Sequence, residues 1–238
     1  MFFRSCVTAI VLSFGLHAQE NALIEARALC FQYVGDVKSV FAPGEKKDEM
    51  VEVPLFTSAM TEPFKMRATD SAGVFSLPNE DPEVPYKALP GIKLPNSSKV
   101  LFLFLPSPTP EKSPYRIVAL ADDTRNFPYG AVRLMNLHSK AVRFHMGEHN
   151  GARAIGLNPG KSRLVDEINR LDDFNRYPVL AEYASDKGFA GFYNNAWRSV
   201  EGKRDLVIVY PDPGSGLPRL NHYEDAEPAD LGPPPGEQ

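Results

Sequence analysis

The aromatic residues near the end of the chain have the spacing of a ligand platform. On a strand through Phe189–Ser199, positions 189, 191, 193, 195 and 197 share one face, because successive side chains alternate. That aligns Phe189, Tyr193, Asn195 and Trp197, with glycine between two of the aromatics. Exposed Tyr and Trp rings stack on flat sugar surfaces and an Asn amide adds polar contacts, so Tyr193, Asn195 and Trp197 are the candidate ligand-binding residues. The plainer alternative places Trp197 and Phe189 in the core of a large sandwich.

His138, His145, Glu148 and His149 fall within twelve residues and are of zinc-ligand type. His145 and His149 share a face only in a helix. This segment reads as strand followed by turn, flanked by Gly147 and Gly151, so solvated or structural histidines are the simpler reading and no metal is assigned. Gly156-Leu157-Asn158-Pro159-Gly160-Lys161-Ser162 departs from a phosphate-binding loop. Three residues rather than four separate its glycines, and Pro159 removes an N–H donor. It reads as a tight turn. No Gly-x-Ser-x-Gly elbow appears, and Gly214-Ser215-Gly216 sits between prolines like a linker. The acid pairs Asp122-Asp123 and Asp172-Asp173 read as solvated turn residues, since neighbours on a strand point apart. No catalytic residue and no cofactor is assigned, and whether the chain is an enzyme stays open.

The elements that must position these groups are strands. Short β-branched or aromatic runs alternate with Pro and Gly over most of the sequence. Expected strands are Ala28–Tyr33, Val37–Phe41, Met50–Val53, Phe64–Ala68, Val74–Leu77, Lys99–Leu105, Arg116–Ala121, Ala131–Asn136, Ala141–Met146, Ala152–Leu157, Val179–Tyr183, Phe189–Ser199 and Asp205–Tyr210. Six consecutive apolar residues, Val100–Leu105, predict a strand buried on both faces. Val132-Arg133-Leu134-Met135 and Val142-Arg143-Phe144-His145 largely alternate, as on strands with one wet face. Leu164, Val165, Ile168, Leu171 and Phe174 fit a helical stripe, while a strand from Ser162 to Ile168 fits almost as well. No fixed-period repeat is visible.

Residues 1–18 read as a bacterial export signal. Arg4 precedes a twelve-residue apolar run, Ser5–Leu16, and Ala18 offers a small residue at a cleavage site. The run is short of the roughly 20 residues a membrane-spanning helix needs. Removing Arg4 with the signal leaves 25 basic against 30 acidic side chains, a net charge of −5, which gives no reason to expect a nucleic-acid partner. Cys30 is then the single cysteine of the mature chain, so no internal disulfide can form. Hydrophobic residues make up 43%, enough for a packed core in place of such staples.

The run Phe127-Pro128-Tyr129-Gly130, then Arg133-Leu134-Met135-Asn136-Leu137 and Leu157-Asn158-Pro159-Gly160, resembles a group of uncharacterised secreted bacterial β-rich proteins. Arg204–Val209 looks like their closing strand, and the resemblance covers roughly residues 99–212. It implies an exported β-rich domain and carries over no catalytic residue.

The expected fold is all-β and sandwich-like, one large or two packed β units with at most one short helix. The expected organisation is a signal peptide over 1–18, an N-terminal β unit over 19–125 with Pro-rich loops, a C-terminal β unit over 126–212, and a flexible Pro-rich acidic tail over 213–238. The expected role is non-catalytic, structural or interactive, in the periplasm or outside the cell. The partner would be an envelope or extracellular protein or a glycan, and no segment of the mature chain is expected to span a membrane. The alternative is a secreted carbohydrate-binding or carbohydrate-acting protein using the Tyr193/Trp197 face.

Overall fold

The computed structural model describes residues 22–69, 72–147, 154–166, 168, 172–212 and 214–227. The expected signal peptide lies outside them. The described chain is all-β, with no helix among the described residues. Its first half forms β1 (Leu23–Cys30), β2 (Ser39–Pro43), β3 (Met50–Pro54), β4 (Phe64–Arg67), β5 (Ala72–Gly73), β6 (Ser76–Pro78), β7 (Tyr86–Ala88), β8 (Ile92–Lys93), β9 (Lys99–Pro106) and β10 (Tyr115–Ala121). Its second half forms β11 (Val132–Asn136), β12 (Val142–Met146), β13 (Ile155–Leu157), β14 (Ser162–Val165), β15 (Arg176–Ser185), β16 (Gly188–Arg198), β17 (Lys203–Pro211) and β18 (Pro218–Ala226).

These strands build four principal sheets, stacked as layers. The first outer sheet has the order β3-β2-β6-β7 and the first inner sheet β10-β9-β1-β4. The second inner sheet has the order β14-β11-β17-β18 and the second outer sheet β13-β12-β15-β16. Three apolar cores lie between them. Val40, Val53 and Phe75 meet Met66, Phe102, Phe104 and Tyr115 in the first sandwich. Val132, Leu134, Val207 and Val209 meet Phe144, Tyr177, Val179 and Trp197 in the second. Leu29, Leu101, Leu103 and Leu105 meet Met135, Leu206, Ile208 and Tyr223 in the middle, back to back. Both inner sheets are thus covered on both faces. This accounts for the unbroken apolar run of β9, whose even residues enter the first core and odd residues the middle one.

The two halves are topological copies. With the short pair β5–β8 set aside, the eight strands of the first half, in chain order, take the same places as β11 to β18, and each inner sheet holds one parallel pair, β1/β9 or β11/β17. Register extends the match to single residues. Leu101 pairs with Arg27 and Leu120; Leu206 pairs with Arg133 and Tyr223. Superposing those rows puts Arg27 on Arg133, Pro106 on Pro211, Arg116 on Arg219 and Lys99 on Arg204. It also puts Asp122, whose N–H donates to the Lys99 carbonyl, on Asp225, the partner of Arg204. The offset between copies drifts, from 106 residues at Arg27/Arg133 to 105 at Leu101/Leu206 and 103 at Asp122/Asp225.

One sequence expectation is corrected and one open choice is decided. The segment after 213 is not a tail throughout. Pro218–Ala226 is a nine-residue strand that pairs with β17 along its length, burying Tyr223. Its charged side chains find partners on β17, which is why a polar composition still folds: Lys203–Glu224, Asp205–His222 and Arg204–Asp225. The stripe from Leu164 resolves in favour of strand as β14, which pairs with β11, and Val165 and Ile168 pack on the second core.

Candidate functional site

A β-bulge decides where the aromatic residues point. Along β16, Trp197, Asn195 and Tyr193 pair with Tyr177, Val179 and Ala181, which face the second core. Between Ala181 and Glu182 the register shifts, and Phe192 is the extra residue. Beyond it Gly191 and Phe189 pair with Glu182 and Ala184, so they face the opposite, outer side. The face expected to run unbroken from 189 to 197 is therefore split in two.

On the inner side, Trp197 is 4% exposed. Its Nε1 donates to Tyr193 Oη at 2.7 Å, its ring meets Tyr177 edge-on, and His222 stacks on it at 4.8 Å between centroids. His222 Nε2 lies 2.8 Å from Asp205 Oδ1. This set closes the second sandwich where β16 approaches β18. The Tyr177 hydroxyl is buried without a hydrogen-bond partner among the described residues. Burial pushes its pKa up, and the neighbouring Asp205 and Tyr193 add to the shift. Asn195 is exposed, its Oδ1 accepting the Ala196 N–H.

On the outer side, Phe189 is 43% exposed, and the Arg143 guanidinium lies 4.0 Å from its ring centroid. Arg143 Nε donates to Glu182 Oε2 at 2.6 Å, and His145 Nε2 lies 2.9 Å from the same oxygen. The Arg143 hydrogen bond, then that of His145, holds the Glu182 carboxyl below its ordinary pKa. Gly156 and Gly191 flank the pair in one row across the four strands: Gly156, Arg143, Glu182, Gly191. Alternation along β12 identifies Arg143 and His145 as solvent-side residues. Only the bulge brings Phe189 to them.

The remaining sequence candidates lie apart from one another. Among the described residues no three metal-type ligands converge, and Glu148 and His149 lie outside those residues. His138 is buried. The Lys140 N–H donates to its Nδ1, so Nε2 carries the proton and donates to the Gly216 carbonyl at 3.1 Å. That bond ties down the β17–β18 turn, where Asp212 receives Gly214 N–H, Ser215 N–H and the Ser215 hydroxyl. Asn158-Pro159-Gly160 is a turn, with Gly160 at φ +71°. In a cleft of about 560 Å3 beside Ser97 and Arg125, Asp123 accepts hydrogen bonds from Ser97 and Asn126, which hold its pKa at about 2.

Asp122, expected as a solvated turn residue, is instead buried at 7% exposure, in a site between the inner sheets that sequence inspection did not find. Arg27 binds Asp122 and Asp225 through pairs of hydrogen bonds at 2.7–3.0 Å. Arg204 also binds both, Nε to Asp225 at 2.7 Å and Nη2 to Asp122 at 2.8 Å, and its Nη1 donates to the Asp122 and Phe127 carbonyls. The Phe127 ring centroid lies 4.6 Å from the guanidinium of Arg133 and 4.6 Å from that of Arg204. Burial pushes the Asp225 carboxyl up, but hydrogen bonds and charges from Arg27 and Arg204 outweigh it and hold the pKa below its ordinary value. The tetrad is electrically balanced, and each acid comes from a different copy.

No protein-family model matches this chain, and no curated protein matches it.

Proposed function

We propose that this is an exported, non-catalytic protein with a structural or interaction role in the periplasm or outside the cell, acting as a rigid two-sandwich spacer. One observation carries the reading: the Arg27–Asp122–Arg204–Asp225 tetrad, set beside the middle apolar core, ties the copies through four buried or half-buried charges. A catalytic cleft at a unit boundary needs the units to part or leave a gap. Here the boundary is filled and cross-linked by charge, which instead fixes the two outer sheets about 30 Å apart, three intersheet spacings of about 10 Å. The export half of the proposal rests on Arg4 and the Ser5–Leu16 run, and the resemblance to secreted β-rich proteins supports it.

The test is fractionation of the producing cells with N-terminal sequencing, followed by broad glycosidase, esterase and phosphatase screens on the purified protein. The expected result is a mature chain starting at or near Gln19 in the periplasm or medium, with no turnover. Retention of the uncleaved chain in the cytoplasm, or turnover abolished by one substitution, would overturn it.

A further inference from the structure

We infer that the outer face of the second sandwich, centred on Arg143, Glu182 and Phe189, binds a neutral carbohydrate. This goes beyond the spacer reading and does not depend on it. Each polar group there is already fixed. Arg143 is held through Nε by Glu182 and through its plane by Phe189, so no long side chain has to be immobilised when a ligand arrives. The groups left over are directional. Both bonds to Glu182 land on Oε2, which leaves Oε1 as an acceptor, and the Arg143 Nη groups have no partner among the described residues. Two donors and an ionised acceptor then stand side by side next to an exposed aromatic ring.

The charges select the ligand. A phosphate or sulfate meets the Glu182 carboxylate, and a cation meets the Arg143 guanidinium. A pair of adjacent hydroxyls satisfies both, since each hydroxyl donates and accepts, and hydrogen bonds to ionised groups are the stronger kind. The part of Phe189 that Arg143 leaves uncovered, on a side chain 43% exposed, offers an apolar contact to the sugar's C–H groups. The floor has room: an added Cβ at Gly156 meets nothing within 4 Å, and one at Gly191 meets only Leu180, at 3.8 Å.

The first copy serves as an internal comparison. Pairing of Phe41 with Ser76 and of Pro78 with Tyr86 puts Phe41 at the place of Arg143, and Ser76 and Tyr86 at those of Glu182 and Phe189. There the pair is aromatic only, Phe41 on Tyr86 at 4.9 Å, with no opposed charges. Glu52 beside Phe41 has no arginine opposite it, so among the described residues the opposed Arg–Glu pair belongs to the second copy.

The test is isothermal titration of the full mature protein with neutral hexasaccharides (cello-, xylo-, manno- and chito-hexaose) and with a sulfated oligosaccharide. At least one neutral probe should bind, with affinity unchanged between low and high salt. Phe189→Ala and Glu182→Gln should each weaken binding at least tenfold at unchanged Tm, and Asn195→Ala, on the other side of the strand, should leave it intact. No neutral probe binding, binding that survives both substitutions, or tighter binding of the sulfated probe would overturn the inference. Each of these outcomes leaves the fractionation and turnover results standing.

Discussion

Replacing Arg204 by Met should cost about 3–5 kcal/mol, because it strands buried acids rather than merely removing a bond. The side chain is 4% exposed and makes four hydrogen bonds: two to the carboxylates of Asp122 and Asp225, two to the carbonyls of Asp122 and Phe127. Without it, two acids at 7% and 9% exposure share Arg27 alone, and two carbonyls lose a donor. The molecule supplies its own control, because Lys99 occupies the equivalent position in the first copy. Lys99 is 53% exposed and pairs with Glu25 at 3.0 Å, so Lys99→Met should cost about 0–1 kcal/mol. Urea unfolding at neutral pH separates the two. With a slope near 3 kcal/mol/M for a chain of this size, the Arg204 midpoint should fall by about 1–2 M. Adding Asp225→Asn to Arg204→Met should recover part of the loss, since one acid then matches one arginine. Equal midpoints for the Arg204 and Lys99 variants, or further loss in the double variant, would refute the reasoning.

Acid should expose the same network. The depressed Asp225 pKa contributes stability that is complete above its unfolded value near 3.8 and lost as pH falls through the lower folded value, so the urea midpoint should drop below about pH 4; a midpoint flat to pH 2 contradicts this. Gly73→Ala should cost about 1–3 kcal/mol, because its Cβ would lie 2.9 Å from Phe102 Cε1 inside a filled core; thermal unfolding checks it. Cys30 is fully buried and burial pushes its thiol pKa up, so a thiol reagent should label it only on unfolding; labelling of the native protein within minutes would contradict the packing.

The strands that alternate or run fully apolar were legible, because their pattern is set by burial alone. β9 and β12 show this, the first filling two cores and the second keeping Arg143 and His145 on a wet face. β18 was not legible. Its charges are neutralised by β17, and pairing between strands leaves no mark in composition. The bulge at Phe192 was equally silent, although it alone separates Phe189 from Trp197. The tetrad joins residues 95 and 198 positions apart, beyond any local spacing rule. The duplication leaves little trace in the sequence because few residues match and the offset drifts between 106 and 103. Its signature is register, not sequence identity.

The rigidity of the four-layer stack is tested most directly by the distance between its outer faces. Spin labels on Glu52→Cys and Asn194→Cys, both exposed on opposite outer sheets, should give one narrow distribution at roughly 30 Å or more, and Cys30, fully buried, takes no label. Arg204→Met should broaden it. A broad or two-peaked distribution in the unaltered protein would contradict a fixed stack, and with it the account of a spacer clamped at its centre by charge.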